Sequence, residues 1–272
     1  IVFGDWSSDV CSSDLVYAGV GKTAPEIRAA LEAGILMFDV ESEPELERID
    51  RIAGEMKTTA DVAFRINPDV DPKTHRYTST GKAETKFGMD FERTATLIGR
   101  LGDFRNVRLQ GAHMHLGSPI YTTAPYAEAL DKFAAFVDGR GIDKSLFEYV
   151  NTGGGFAIDY EPNRAFGAKT YADTIVPRVR EFGAKLILEP GRFISGNSGV
   201  LVAEIQYVKD SGPKRFWITD AGMNDLIRPS LYESFHEIWP VRAKTPPPLL
   251  GGTRDETFRA VENPARKRSV NG

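Results

Sequence analysis

The sequence has few of the features that mark secreted, membrane-spanning or nucleic-acid-binding proteins. Its single cysteine, Cys11, excludes an internal disulfide, so a reducing cytoplasm is the simplest expectation. No apolar run approaches the roughly 20 residues that span a bilayer, and no cationic segment followed by an apolar one predicts a signal peptide. The formal net charge of -4 argues against a nucleic-acid partner.

Both ends of the chain differ in character from its middle. Residues 1–15 repeat the letters S-S-D without a helical or strand period, and we interpret them as an artefact-like, non-native segment. A mobile polar terminus is the alternative interpretation. Residues 242–272 are rich in proline, glycine and cations, and they predict a disordered or out-of-frame tail.

The middle of the chain alternates short apolar segments with amphipathic ones. Strands are predicted at residues 16–20, 36–40, 62–66, 109–115, 147–152 and 186–189. Helices are predicted at residues 24–33, 43–54, 93–101, 126–139 and 171–182. Alternation of this kind favours a parallel sheet with crossover helices, in an α/β fold.

A barrel fits this pattern better than an open doubly wound sheet, because reactive-looking residues follow several different strands. Six strands are two fewer than a closed (β/α)8 barrel needs, so residues 16–195 predict an incomplete barrel with the missing pair expected before Val16. Residues 196–241 contain two further strand-like runs around the turn-forming segment 210–213. They predict part of an all-β domain.

Two segments of the predicted barrel carry candidate binding residues. His113 and His115 alternate along a strand, ahead of Ser118, and therefore face the same side. A third metal ligand of suitable spacing is not evident, a flat imidazole suits stacking on an aromatic cofactor, and a structural histidine is favoured for either residue alone. The glycines of segment 153–155 follow another strand, where a phosphate-binding turn and a plain tight turn remain equal alternatives.

Two later segments pair a cation with a second polar group. Glu189 and Arg192 could serve two parts of one ligand, since a guanidinium suits phosphate or carboxylate, and a surface ion pair is the alternative. Arg228 and Tyr232 offer a cation and a hydroxyl, or simply a polar loop edge. Lys22 stands in a G-V-G-K-T run that lacks the earlier glycine of a P-loop, and it is interpreted as part of a βα turn.

Taken in order, these segments resemble the fold-type III pyridoxal 5'-phosphate (PLP) decarboxylases, and within them the branch that acts on diaminopimelate. The resemblance runs from about residue 16 to 241 and includes the runs V-E-S-E at 40–43, R-I-N-P-D-V at 65–70, K-F-G at 86–88 and H-E-I at 236–238. It implies a PLP barrel followed by a β-domain, a homodimer, and decarboxylation of meso-diaminopimelate to L-lysine.

The resemblance also implies roles for individual residues. His115 would stack on the pyridine ring, Glu189 would pair with the ring nitrogen, and the glycine turn would hold the phosphate. The residues it assigns to the cofactor are His115, Ser118, Gly153, Gly154, Gly155, Glu189, Pro190, Gly191 and Arg192. Those it assigns to the substrate are Arg192, Arg228 and Tyr232.

The chain departs from the family pattern at its catalytic residues. The Schiff-base lysine in its Tyr-Ala-x-Lys-Ala context and the proton-donor cysteine in its Cys-Glu-Ser context are not found, and Lys22 is a poor substitute. We therefore expect this copy to be damaged at both ends and inactive alone. The alternatives are a decarboxylase of ornithine, arginine or carboxynorspermidine, and a non-catalytic PLP-binding protein.

Overall fold

The computed structural model describes residues 12–71, 86–160, 165–196 and 198–242. The chain divides into two compact units, of which the first comprises Ile1–Ala157 and Ala165–Arg192 and the second Ile158–Arg164 and Phe193–Gly272. Most of the predicted artefact-like segment and tail lie outside the described residues. Among the helices described, none has the length and hydropathy to cross a membrane.

The first unit is built on one parallel sheet. Its strands are Val16–Tyr17 (β1), Met37–Val40 (β2), Ala60–Arg65 (β3), Val107–His113 (β4), Tyr149–Asn151 (β5) and Lys185–Ile187 (β6). They lie in chain order, and each is hydrogen-bonded in parallel to the next, as in the pairs Phe38 with Val62 and Ala112 with Val150. This arrangement confirms the predicted fold class, an incomplete (β/α)8 barrel.

Helices connect the strands, as a parallel neighbour requires a crossover. They are Ala24–Ala33 (α1), Glu43–Glu55 (α2), Phe91–Gly99 (α3), Ala124–Arg140 (α4) and Ala168–Phe182 (α5), and the short helix Gly191–Ser195 (α6) follows β6. The core lies between sheet and helices: Phe133 of α4, for example, has its ring 5.2 Å from that of Phe147 and 5.1 Å from that of Phe182. All four residues of β2 are buried, and one of them, Asp39, carries a carboxylate.

Local signals explain the bounds of α1. Pro25 occupies the first turn, where the missing N–H costs nothing. The carboxylate of Glu26 accepts hydrogen bonds from the backbone N–H of Thr23 at 2.8 Å and from its hydroxyl at 2.7 Å. Gly34 ends the helix with φ of 66°, a left-handed conformation that glycine adopts without steric cost. The observed bounds match the predicted ones.

The second unit contains an antiparallel hairpin, as predicted. Strands Ile205–Ser211 (β7) and Lys214–Thr219 (β8) pair across a turn at Gly212 and Pro213. A short helix, Arg228–Tyr232 (α7), follows. Every residue of β7 and β8 is exposed, including Tyr207 at 72% and Trp217 at 64%, so within the described residues the apolar side chains of this ribbon face solvent.

Candidate active site

Charged and amide side chains lie together at one edge of the parallel sheet. Arg65, His113 and Asn151 are the last residues of β3, β4 and β5. Asp39 lies near the end of β2, and Glu189 follows β6. Because neighbouring parallel strands end at the same edge, residues far apart in the chain form one cluster there.

His113 packs against two carboxylates in this cluster, although neither of its ring nitrogens has a hydrogen-bond partner within the described residues. Its Nδ1 is 3.3 Å from Oδ2 of Asp39, and its Nε2 is 3.4 Å from Oε1 of Glu189. Asn151 joins the same two carboxylates, since its Nδ2 donates to Oε1 of Glu189 at 2.8 Å and lies 3.1 Å from Oδ2 of Asp39. The side chains of His113 and Asp39 are 1% and 0% exposed, whereas Glu189 is 32% exposed. Glu189 is therefore the carboxylate that a ligand can reach.

Burial controls the charge of the two hidden groups. Loss of solvation raises the pKa of Asp39 well above its ordinary value, and the neighbouring Glu189 adds to the rise, against the opposing charges of Lys22 and Arg65. Loss of solvation also lowers the pKa of His113 well below its ordinary value, with Arg65 acting in the same direction. Burial therefore favours the uncharged form of both the His113 imidazole and the Asp39 carboxyl.

His115 lies two residues after His113, just beyond the end of β4, and is half-buried. Its Nδ1 accepts a hydrogen bond from the backbone N–H of Gly154 at 3.1 Å, so the ring is assigned the tautomer protonated on Nε2. Burial, aided by Arg65, lowers its pKa to about 4. The ring is thus neutral at physiological pH and fixed against the glycine turn.

The three glycines of the turn are required by close backbone packing. A Cβ on Gly154 would lie 2.1 Å from the carbonyl oxygen of Glu189, and one on Gly155 would lie 2.0 Å from that of Gly117. The N–H groups of Gly153 and Gly154 donate to Oδ1 of Asn151 at 2.9 Å and to His115. Two of the predicted phosphate donors therefore have partners within the protein in this structure.

The loop before α4 and the start of α6 contain the other predicted cofactor residues. Ser118 is half-buried and precedes Pro119 across a cis peptide bond, and Ile120 of the same loop donates from its N–H to Gly155 O at 2.8 Å. Pro190 and Gly191 lead from Glu189 into α6. Nη1 of Arg192 is buried and has no hydrogen-bond partner among the residues that the structure describes, which suits an anionic ligand group.

The predicted substrate residues Arg228 and Tyr232 lie on α7 of the second unit. The guanidinium carbon of Arg228 is 5.7 Å from the ring centroid of Tyr232. Nη2 of Arg228 donates to the hydroxyl of Tyr160 at 3.1 Å and to that of Ser234 at 3.2 Å. The two residues therefore form one polar surface with Tyr160.

Lys22 is buried, and its amine is hydrogen-bonded within the protein. Its Nζ donates to the carbonyl oxygens of Gly19 and Asp39, each at 2.7 Å, and to Oε1 of Glu45 at 2.6 Å. These three acceptors use all the protons of the ammonium group. The interpretation of Lys22 as part of a βα turn, and as a poor substitute for a cofactor-binding lysine, agrees with this geometry.

Sequence reasoning missed Asp39, Arg65, Glu41 and the role of Asn151. Nη1 of Arg65 donates to Oε1 of Glu41 at 2.7 Å in a buried ion pair. The available signal was a charged residue within or at the end of a buried strand, namely Asp39 in M-F-D-V and Arg65 in A-D-V-A-F-R. The fold does bring further metal-ligand types next to His113, because ligand atoms of Asp39, His113 and Glu189 lie within 4.8 Å of one another. The nearby cations Lys22 and Arg65 disfavour a metal ion there.

The low pKa of His115 predicts a specific dependence of stability on pH. The folded pKa of about 4 lies below the ordinary 6.5, so between these values the unfolded chain binds a proton that the folded chain does not. The stabilising effect is complete above pH 6.5 and is lost as the pH falls toward 4, at up to about 1.4 kcal/mol per pH unit. Asp39 changes stability in the opposite direction, because its raised pKa favours the folded state on acidification.

Comparison with a His115→Gln variant isolates this effect from Asp39 and His113. Both proteins are unfolded in urea from pH 7 to pH 4. As the pH falls, the free energy of unfolding of the wild-type chain should decrease relative to that of the variant. Parallel profiles would show that His115 titrates alike in the folded and unfolded states.

Comparison with known proteins supports one family. The family model described as pyridoxal-dependent decarboxylase, pyridoxal binding domain, matches residues 6–196. Diaminopimelate decarboxylase of Aquifex aeolicus is 43% identical over 234 residues, which cover 85% of this chain and 55% of the relative. The enzyme of the same name from Vibrio cholerae is 40% identical over 233 residues, covering 85% and 56%. The chain thus spans about half the length of the curated relatives it matches.

Solved structures agree with this comparison. The crystal structure of diaminopimelate decarboxylase from Helicobacter pylori complexed with L-lysine matches with a TM-score of 0.78 and 36% identity, over 84% of this chain and 57% of that one. The enzyme from M. jannaschii in co-complex with L-lysine matches with a TM-score of 0.75 at the same identity. On the extent of these matches, the chain belongs to the pyridoxal-dependent decarboxylases and carries their pyridoxal-binding domain.

Proposed function

We propose that the whole protein is a diaminopimelate decarboxylase, converting meso-diaminopimelate to L-lysine with PLP, and that this chain supplies the cofactor-binding half of the site. The observation that supports this most directly is the half-exposed carboxylate of Glu189 at the sheet edge, fixed from behind by Asn151. A carboxylate next to the pyridine nitrogen of the cofactor favours the protonated, cationic ring. When bound, PLP supplies an electron sink for cleavage of the bond to the departing carboxylate.

The proposal assigns the surrounding residues to separate parts of the cofactor. In the proposal, the fixed neutral ring of His115 stacks on the pyridine face. Arg192 binds the phosphate or the substrate, since its buried Nη1 lacks a partner within the described residues. The N–H of Gly153 binds phosphate by exchanging its internal partner, Oδ1 of Asn151, for a phosphate oxygen, while that of Gly154 keeps its bond to His115. Ser118, Pro190 and Gly191 are proposed to contact the cofactor as well.

Substrate choice is proposed to depend on Arg228 and Tyr232. A guanidinium and a hydroxyl suit the distal carboxylate of diaminopimelate, which ornithine and arginine lack. The two solved relatives described as complexed with L-lysine support an amino-acid ligand of this length. For the intact protein, a substrate panel with Arg228→Leu should show a loss of kcat/KM for diaminopimelate without a matching loss for ornithine; equal losses would favour another substrate class.

The whole protein is further proposed to be a cytoplasmic homodimer, as the family resemblance implies. Sedimentation of the full-length protein tests the oligomeric state, and a monomer at working enzyme concentration would contradict it. The second candidate function is PLP binding without catalysis. It is favoured for the 272-residue chain, because Lys22 is buried and its amine already donates to three acceptors within the protein.

We predict that the 272-residue chain binds PLP without a covalent link to Lys22. After incubation with PLP and reduction with borohydride, mass spectrometry should find no stoichiometric pyridoxyl group on Lys22, because its amine is held as a buried ammonium. The same sample should form no lysine from diaminopimelate. A stoichiometric adduct at Lys22 would contradict the prediction, as would turnover.

A Glu189→Gln variant tests the central assignment. It keeps the shape of the side chain and its hydrogen bond with Asn151 but removes the charge that favours a cationic ring. PLP affinity of the variant, measured by cofactor fluorescence, should fall by about tenfold. Unchanged affinity would show that the carboxylate does not face the cofactor.

A further inference from the structure

A buried tyrosine hydroxyl lies directly behind the glycine turn, and the proposed function so far gives it no role. Tyr126 of α4 is 2% exposed, and its hydroxyl donates to the carbonyl oxygen of Gly154 at 2.8 Å. Loss of solvation, with Tyr171 acting in the same direction, raises the pKa of Tyr126 above its ordinary value. The hydroxyl therefore keeps its proton at neutral pH and remains a donor to this carbonyl.

The three carbonyl groups of the glycine turn are held in two different ways. Those of Gly153 and Gly155 accept from backbone N–H groups outside the turn, each at 2.8 Å. That of Gly154 accepts from a side chain, the hydroxyl of Tyr126. The Gly154 carbonyl is therefore the one whose anchor a single substitution can remove without any change to the backbone.

The three N–H groups of the turn also differ from one another. Those of Gly153 and Gly154 donate to Asn151 and His115, and both glycines are buried. Gly155 is half-buried, and its N–H donates no hydrogen bond within the described residues. This N–H can therefore bind an anion without giving up an internal hydrogen bond.

One peptide group connects the tyrosine to this donor. The carbonyl of Gly154 and the N–H of Gly155 belong to the same planar trans peptide, in which the two polar groups point in nearly opposite directions. Because the oxygen is directed at the buried hydroxyl of Tyr126, the N–H is directed away from it. Glycine on both sides of a peptide lets it rotate at little steric cost, so the donor needs an anchor to keep its direction.

We propose that Tyr126 is a positioning residue for phosphate binding, because its hydroxyl holds the Gly154 carbonyl so that the N–H of Gly155 faces the phosphate group of PLP. The ring of Tyr126 is itself fixed by aromatic packing, with its centroid 5.6 Å from that of Phe156 and 5.0 Å from that of Tyr171. The inference rests on the proposed function for the identity of the ligand. The hydrogen bond to Gly154 is a property of the chain without a ligand.

Tyr126→Phe removes the hydroxyl and keeps the aromatic ring. The affinity of the variant for PLP, measured by cofactor fluorescence, should fall by about tenfold, whereas its affinity for pyridoxal should change by less than about twofold. Pyridoxal has the same ring as PLP but no phosphate, so the comparison isolates the phosphate group. A merely structural role would lower both affinities alike or leave both unchanged, and either result would overturn the proposal.

Tyr171→Phe is the matched control. Tyr171 is also buried, at 4% exposed, and its hydroxyl lies 2.7 Å from that of Thr152, a side chain and not a carbonyl of the turn. The substitution removes the same atom from the same aromatic cluster, so the ratio of PLP to pyridoxal affinity should stay within about twofold of the wild-type ratio. An equal fall of this ratio in both variants would contradict the specific role of Tyr126. Thermal unfolding of the ligand-free variants shows that each is folded before affinities are compared.

NMR of the ligand-free chain tests the arrangement without any cofactor. The amide proton of Gly155 should exchange with solvent deuterium faster than that of Gly154. The carbonyl carbon signal of Gly154 should move upfield in Tyr126→Phe, while those of Gly153 and Gly155 stay in place. A protected Gly155 amide, or an unmoved Gly154 carbonyl, would overturn the inference. Failure of the wild-type chain to bind PLP would instead count against the proposed function, and the NMR results would still decide whether Tyr126 anchors the turn.

Discussion

Replacement of Gly154 by alanine should lower the free energy of unfolding by about 3 kcal/mol or more. The new Cβ would lie 2.1 Å from the carbonyl oxygen of Glu189, a backbone atom that cannot rotate away. The strand-to-helix segment at Glu189 or the turn itself would have to move, and movement of the turn would disturb the hydrogen bond that the hydroxyl of Tyr126 donates to the backbone oxygen of residue 154 at 2.8 Å. Urea unfolding of the purified chain measures the change.

Gly139→Ala is the matched control. Gly139 lies within α4, and a Cβ there would meet nothing within 4 Å. The substitution should stabilise the chain by about 0.5 to 1 kcal/mol, because alanine loses less conformational entropy than glycine in a helix. Similar stabilities for the two variants would show that the glycine turn tolerates a side chain and that its packing is looser than described.

Replacement of Glu41 by glutamine should lower the free energy of unfolding by about 3 to 5 kcal/mol. Glu41 and Arg65 form a salt bridge whose side chains are 3% and 6% exposed, and the second oxygen of Glu41 accepts from the N–H of Gly88 at 2.8 Å. Glutamine keeps the shape but leaves the guanidinium as a buried charge without a counter-ion. Thermal and urea unfolding should both register the loss.

An exposed pair provides the comparison for Glu41. Arg108 donates to both carboxylate oxygens of Asp61, at 2.6 Å and 2.9 Å, but its side chain is 64% exposed. Asp61→Asn should therefore cost no more than about 1 kcal/mol, because water and salt screen the interaction. If both substitutions cost the same, burial of the Glu41 pair does not determine its contribution.

The order of strands and helices was predictable from sequence because apolar periodicity records it locally. The bounds of α1 were predicted correctly, and Pro25 with the Thr23 and Glu26 pair marks its start in the sequence. Strand bounds were less accurate: β4 begins at Val107, two residues before the predicted start, since its first residues are less buried than its last. Helix α5 begins at Ala168 rather than residue 171, because its first turn is exposed and lacks the apolar period.

The site was predictable only where a motif is contiguous. The segments around His115, Gly154 and Glu189 carry their signal in a few adjacent residues. The contact between Asn151 and Asp39 joins positions 112 residues apart, and no local pattern reports such a pair. Only the folded sheet brings Asp39 behind Glu189, which explains why the buried part of the cluster was missed.

The chain order of the sheet has a consequence for biosynthesis. Every strand from β1 to β6 pairs with the strand that leaves the ribosome immediately before or after it. Each new βα unit can therefore dock on a surface that has already been translated, without waiting for a distant segment. Co-translational assembly in this order leaves only the most recently added strand as a growing edge, and the polar cluster is completed last, when Glu189 follows β6 into place.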